Sequence, residues 1–315
     1  MTKLIQELTN NETFDLFALL KDVKVRTTKT GKQFLDLVFA DRSGEIGGKF
    51  WDASAQDIEN FQAGKVVFLK GKKETYMGNF QIKISAMRLA TEEEPHDALS
   101  YVQRAPLSKE QLEEQITQSV FEIEDATYNR IVRALLQKYG NKFYIYPAAK
   151  SNHHDFEGGL AYHTVSMLAL AHDVVRYYDG IDAPLLYAGT ILHDLGKVVE
   201  LSGPISTSYT LAGNLIGHVS IMDAEIVEAA EHLGLHQDDE QVLKLRHMIL
   251  SHHGELEYGG APERPELLEA EILHNIDVLD AGIMMIQKAL DHTEPGDFSD
   301  RIFGLDNRRF YKPNK

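Results

Sequence analysis

His193 and Asp194 stand side by side at the end of the apolar run Pro184–Leu192, and this is where the chain's chemistry concentrates. A neutral imidazole and a carboxylate brought to one point favour divalent cations of intermediate softness. Adjacent helical residues do not face each other, yet they can reach a common point from two sides. The dipeptide alone says little, because His-Asp also occurs at 96/97, 154/155 and 172/173. Only the pair at 193/194 closes a strongly apolar helix (Leu185, Leu186, Ala188, Ile191, Leu192) and runs into Leu195-Gly196-Lys197. Gly196 is expected to stop that helix. Lys197 is expected to turn back to the site. His163 lies 30 residues before His193, and Asp277 lies 83 residues after Asp194. Both sit at an apolar-to-polar boundary of a predicted helix.

The elements that must bring these residues together are helical. Apolar spacing predicts helices over 160–178, 184–195, 215–233, 239–251 and 265–290, with a Ser, Gly and Thr-rich loop over 201–214. His218 falls near the start of the third, and His252-His253-Gly254 follows the fourth. Isolated histidines in amphipathic helices are mostly packed or surface groups, and His172, His232, His236, His247, His274 and His292 are read that way. His153-His154, just before Gly158-Gly159, could line the mouth of the site and touch nucleic acid, or could stand in an exposed loop.

The first 91 residues read differently. Alternating apolar runs predict strands over 14–25, 34–39, 45–51, 65–71 and 80–85, with turns at 29–32, 41–44 and 77–79 and a short helix over 53–61. Five strands with a helix between the third and fourth are the order of an OB-fold barrel. Lysines 29, 32, 49, 70, 72, 73 and 83 interleave with Phe34, Phe50, Trp51, Tyr76 and Phe80. That mixture suits single strands, whose bases stack on rings and whose phosphates meet ammonium groups. Phe34, Lys49, Trp51, Lys72, Tyr76 and Phe80 are the expected contacts, against the alternative that the rings fill the barrel.

Charge divides the chain at the same place. Residues 1–91 hold 14 Lys/Arg against 11 Asp/Glu, a net of +3, whereas 92–315 hold 18 against 37, a net of −19. A mildly basic module joined to an acidic one can capture a polyanion and pass it to a site that holds cations. The chain has no cysteine, which excludes disulfides and thiolate metal ligands and fits a reducing cytoplasm. Its first ten residues have no apolar core and no run is long enough to span a membrane, so a cytoplasmic location is expected. The acidic surface and a tail over 291–315 allow a homo-oligomer.

The order H…HD…D in an all-helical region, with Gly196-Lys197 behind it, resembles the HD-domain phosphohydrolase superfamily. The resemblance implies that His163, His193, Asp194 and Asp277 hold a first metal ion, and that Asp194 can bridge to a second. By position His218, His252 and His253 resemble the extra histidines of dinuclear members. Two cations about 3.5–4 Å apart lower the pKa of a shared water and clamp the attacked and leaving phosphate oxygens. Asp194 and Lys197 would then be the catalytic residues. Imidazole and carboxylate without sulfur point to Mn²⁺, Co²⁺ or Fe²⁺. Trinuclear cyclic-dinucleotide enzymes carry a Glu four residues before the first His, where this chain has Gly159.

A barrel ahead of such a domain, with Gly158-Gly159-Leu160-Ala161-Tyr162-His163, Gly217-His218-Val219-Ser220 and Ser251-His252-His253-Gly254-Glu255, is similar to the YhaM-type 3′-to-5′ exoribonucleases. That implies an OB-fold nucleic-acid-binding domain over 1–91, a linker and helical connector over 92–157, an HD domain over 158–290 and a tail over 291–315. It also implies release of nucleoside 5′-monophosphates from single-stranded RNA, and sometimes single-stranded DNA, with Mn²⁺ or Co²⁺. Two rivals stand beside this reading: an HD hydrolase of a small nucleotide, a deoxynucleoside triphosphate or an alarmone, with a regulatory barrel; and a binding protein whose helical domain is only structural.

Overall fold

A computed structural model describes residues 3–76, 79–150, 154–254, 262–291 and 293–314; the sequence positions Met77, Gly78, His153, Glu255 and His292 lie outside the described residues. The chain forms two compact units: Met1–Arg104 with Pro204–Thr207, and Ala105–Gly203 with Ser208–Lys315.

In the first unit β1 (Thr13–Thr27), β2 (Gln33–Asp41), β3 (Gly44–Phe50), β4 (Val66–Tyr76) and β5 (Asn79–Leu89) close a barrel in the order β1-β2-β3-β5-β4, with α1 (Ala55–Asn60) between β3 and β4. This is the expected OB-fold topology. Period-two alternation turns Leu16, Ala18 and Leu20 of β1, Leu35, Leu37 and Phe39 of β2, and Val67 and Leu69 of β4 into one core. β1 is long enough to pair with both β2 and β4, and a register shift between Leu20 and Asp22 bends it from one to the other. Gly71 permits the tight approach of β4 to β5, since a Cβ there would lie 2.8 Å from both Ile82 Cγ2 and the Lys83 carbonyl. Ser54 caps α1, accepting from the Asp57 N–H while Asp57 accepts in return.

The second unit is helical. Its elements are α2 (Lys109–Glu122), α3 (Ala126–Phe143), α4 (Gly159–Tyr177), α5 (Ala183–Leu192), α6 (Lys197–Glu200), α7 (Leu211–Leu215), α8 (His218–His232), α9 (Glu240–Ser251) and α10 (Leu268–Asp291). Ser108 caps α2 in a capping box with Gln111. α5 is apolar all round and therefore central: residues 185–192 are all buried, and the helix packs against α2, α3, α4, α9 and α10. Each fully buried Leu or Ile contributes about 1.5–3 kcal/mol, so α5 is a rigid anchor for whatever stands at its end. Gly189 lets α9 approach α5, because a Cβ there would meet Met248 Cε at 2.7 Å. The segment read as a loop over 201–214 contains the bridge Leu201↔Tyr209 and most of α7. The tail pairs with itself at Phe298↔Tyr311 and Ile302↔Arg308, and it returns to the end of α10, where Lys312 Nζ donates to the Leu290 carbonyl at 2.8 Å.

One local expectation is corrected. α5 ends at Leu192, and Gly196 is right-handed, with φ −58° and ψ −19°, so it is not what stops that helix. It is glycine because the chain passes the start of α8 there: a Cβ would lie 2.4 Å from the His218 carbonyl oxygen.

Candidate metal centre

α5 ends at Leu192, and the next two residues deliver His193 and Asp194 into the interior, both buried. His193 Nδ1 lies 2.8 Å from the Thr190 carbonyl one turn back, and a carbonyl can only accept. The proton therefore sits on Nδ1, and Nε2 presents a lone pair. In the second turn of α4, buried His163 is fixed the same way: its Nδ1–H donates to the Asp280 carboxylate at 2.7 Å. The two Nε2 atoms then face each other at 3.4 Å. Asp277 Oδ1 stands 3.2 Å from His163 Nε2, and Asp194 Oδ2 stands 3.4 Å from His193 Nε2 and 3.8 Å from His163 Nε2. This gathers lone pairs and negative charge at one point, and His163, His193 and Asp277 can hold a cation together.

The other oxygen of Asp194 belongs to a second cluster. His218, the first residue of α8, lies 3.3 Å from Asp194 Oδ1 through Nε2, and His252 Nε2 lies 3.9 Å from the same oxygen. Again the far nitrogens carry the protons. His218 Nδ1–H and its backbone N–H both donate to Glu200 Oε1 at 3.1 Å, and His252 Nδ1–H donates to the Ile249 carbonyl at 2.7 Å. His253 joins them, its ring centroid 4.2 Å from that of His252 and 5.2 Å from that of His218. Asp194 Oδ1, His218 Nε2 and His252 Nε2 are buried without a hydrogen-bond partner. Three acceptors converging in a buried space are costly unless something positive satisfies all of them. The set His218, His252 and His253, with Asp194 between the two clusters, fits a second cation.

Charge states agree with this chemistry. Burial works against ionising Asp194, but the Lys197 ammonium, donating to Oδ2 at 2.6 Å, and the His193 ring hold its carboxyl well below the usual range. Asp277 is likewise buried and held low, chiefly by His163. Lys197 is raised: burial opposes its charge, and Asp194 outweighs that. Burial pushes His252 well below the ordinary imidazole range and His253 down to about 4, with the neighbouring rings adding to it. Both are therefore neutral near pH 7, as ligands must be. His163 is raised to about 9, because Asp277 and Asp280 outweigh the burial that disfavours its charge. The carboxylates demand positive charge here, whether a proton or a metal ion supplies it.

Every expected ligand is thus at one of the two clusters. Asp280 and Glu200 were not singled out in the sequence, yet each accepts the Nδ1–H of a histidine expected as a ligand; the i, i+3 spacing of Asp280 from Asp277 on α10 was the available clue to the first. His154 is corrected: it does not line the mouth but is buried, with Nε2 3.6 Å from Asp280 Oδ2 and its ring centroid 5.0 Å from that of His163. His274, read as a packing or surface group, holds the corner after α9 by donating from Nδ1 to the His252 carbonyl at 3.0 Å.

On the barrel, strand register sorts the expected contacts. Lys49 pairs with Lys83 across β3–β5, and Lys83 with Lys72 across β5–β4, so the three form one row on a single face. Trp51 and Tyr76 share that face by parity; Trp51 is 56% exposed and Tyr76 58%. Lys49 Nζ lies 5.7 Å from the centre of the indole. Phe34 is on this face too but is buried beneath Trp51, stacked at 4.7 Å. It supports the indole and is not itself a free platform. Phe80 is out of phase with Lys83 and points to the opposite face, where Lys73 Nζ lies 4.6 Å from its ring.

Comparison with known proteins bears on the same residues. Residues 160–282 match the HD domain family. The 3′-5′ exoribonuclease YhaM of Listeria monocytogenes serotype 4b is 49% identical over 313 residues, 99% of either chain. The chain belongs to the YhaM family of exoribonucleases. Other YhaM proteins, from Listeria welshimeri and Listeria innocua, are 49% and 48% identical over the same 99% of each chain. Among solved structures, the second OB-fold domain of replication protein A from Methanococcus maripaludis is 20% identical, covering 29% of this chain and 97% of its own, with a TM-score of 0.24. No helix among the described residues is long and apolar enough to cross a membrane.

Proposed function

We propose that this chain is a divalent-metal-dependent exoribonuclease that removes nucleoside 5′-monophosphates from the 3′ end of single-stranded RNA. One observation carries the reading: Asp194 is a buried carboxylate whose two oxygens face separate groups of imidazole Nε2 atoms. His163, His193, Asp194 and Asp277 would hold one cation, and Asp194, His218, His252 and His253 the other. Cations bound there supply a water of lowered pKa and positive charge for the phosphate oxygens. Ligands of nitrogen and oxygen without sulfur favour Mn²⁺, with Co²⁺ or Fe²⁺ as alternatives.

The chain's own groups do the rest. Lys197 lines the cavity beside Asp277 and meets a non-bridging phosphate oxygen, offsetting charge that builds as the bond breaks. Asp280 and Glu200 keep the ligand lone pairs aimed inward. The exposed face with Trp51, Tyr76, Lys49 and Lys72 binds the strand by stacking and by phosphate contacts, without reading its sequence. The 3′-to-5′ polarity is taken from the family alone.

The test is purified protein with Mn²⁺ and a 5′-labelled single strand. Stepwise shortening with release of 5′-mononucleotides is expected. An intact oligomer alongside hydrolysis of a free nucleoside triphosphate would transfer the activity to small nucleotides.

A further inference from the structure

A cavity of about 360 Å³ opens from the second histidine cluster. Its walls change character. Lys197, His218, His253 and Asp277 make one part polar, whereas Leu201, Tyr209 and Val278 make another part apolar. α10 contributes His274, Asp277, Val278 and Ala281, an i, i+3, i+4, i+7 stripe, so the change from ligand to apolar wall occurs along one helix face. Tyr209 and Val278 are 49% and 57% exposed. Large apolar groups left open beside a charged centre mark a surface meant to be covered. Lys150, also exposed, adds a second ammonium to the lining in a unit whose charge is otherwise strongly negative.

Resting on the phosphodiesterase reading above, we propose that this cavity seats a single terminal nucleotide, with Tyr209 and Val278 against its base and Lys150 against the phosphate on its 5′ side. That phosphate is the scissile one, since the product carries it away as a 5′-monophosphate, and it lies at the polar part. Small-ligand sites span about 300–1,000 Å³, and this one lies at the small end of that range, a size suited to one nucleotide. On the exonuclease reading that nucleotide is the chain end. A phenol ring and an isopropyl group offer a stacking surface to any base, so all four are accepted.

The experiment compares wild type, Tyr209→Ala and Tyr209→Phe on an oligoribonucleotide whose 3′-terminal nucleotide carries its base or is abasic. Loss of one stacked base corresponds to a roughly 5- to 150-fold change. Tyr209→Ala is expected to raise KM by that order with little change in kcat, and Tyr209→Phe to restore it. The abasic end is expected to cost the wild type the same factor and to cost Tyr209→Ala nothing further. Losses that multiply, or a Tyr209→Ala enzyme with wild-type KM, overturn the seat. Calorimetric binding of adenosine 5′-monophosphate to the same three proteins in Mn²⁺ separates this from the activity. A wild type that binds the mononucleotide through Tyr209 but shortens no oligomer keeps the seat and removes the exonuclease reading. Binding that is indifferent to Tyr209 removes the seat.

Discussion

Asp280→Ala removes a group that would touch neither a metal ion nor substrate, and it should nonetheless weaken the first metal site. The Asp280 carboxylate accepts the Nδ1–H of His163 at 2.7 Å, and both side chains are buried. Without it the imidazole N–H is left unsatisfied, at a cost of about 1–3 kcal/mol. The ring recovers that cost by turning or by moving its proton to Nε2, the atom that faces Asp277 and His193. Outer partners of ligand histidines are worth about 10–100-fold in metal affinity, or roughly 1.4–2.7 kcal/mol. The assay is calorimetric titration of chelator-treated protein with Mn²⁺. Two binding events are expected in the wild type; in Asp280→Ala one weakens by that factor while the other, at the cluster of His218, His252 and His253, changes less. Asp280→Asn should lose less, because its amide oxygen still accepts the bond. A folded Asp280→Ala protein that binds both ions as tightly as wild type would refute the argument that this carboxylate holds the tautomer.

Other outcomes follow from the same geometry. Trp51→Ala should weaken binding of a long single strand by roughly 5- to 150-fold, whereas Phe80→Ala, on the opposite face, should change it little; fluorescence anisotropy distinguishes them, and equal losses would void the assignment of the face. Gly196→Ala forces a Cβ to within 2.4 Å of the His218 carbonyl and should destabilise the helical unit by about 1–3 kcal/mol in chemical denaturation, as overpacking does. Glu94 is held down to about 2 by two bonds from the Arg88 guanidinium at 2.6 and 2.7 Å, with the Thr91 N–H adding to it. A depressed carboxyl stabilises the fold above its ordinary pKa and loses that contribution as pH falls toward the folded value. Glu94→Gln should therefore flatten the acid limb of thermal stability between about pH 4.5 and 2, and an unchanged limb would show that the pair is too solvated to matter.

The expected ligands could be read from type, spacing and helix context, because histidine and aspartate have few other reasons to end apolar helices, and the fold brings His163, His193, Asp194 and Asp277 within 4 Å of one another in a chain of contacts. The barrel was legible for a related reason, since period-two alternation records which face is buried. The missing parts depend on distances that only folding creates. Asp280 meets His163 across 117 residues, and Glu200 reaches His218 across 18; beyond the spacing of Asp280 from Asp277, nothing local marks either acid as an orienting group. His154 misled because a histidine next to a glycine-rich turn reads as loop, whereas the chain folds it under Asp280. Gly196 was read from the commonest use of glycine after a helix, although its real constraint is the backbone of α8 lying against it. Phe34 and Phe80 have the right composition for stacking, but only the register of β2–β3 and β4–β5 tells a covered ring from an open one and one face from the other.

Counting metal ions on the wild type and on Asp194→Ala, after equilibration with Mn²⁺ and removal of excess, tests the account most directly. Two ions per chain are expected for the wild type, and none tightly held for Asp194→Ala, with single-strand binding by the barrel preserved. An Asp194→Ala protein that keeps two ions and still shortens RNA would contradict the claim that this one carboxylate joins the two halves of the centre.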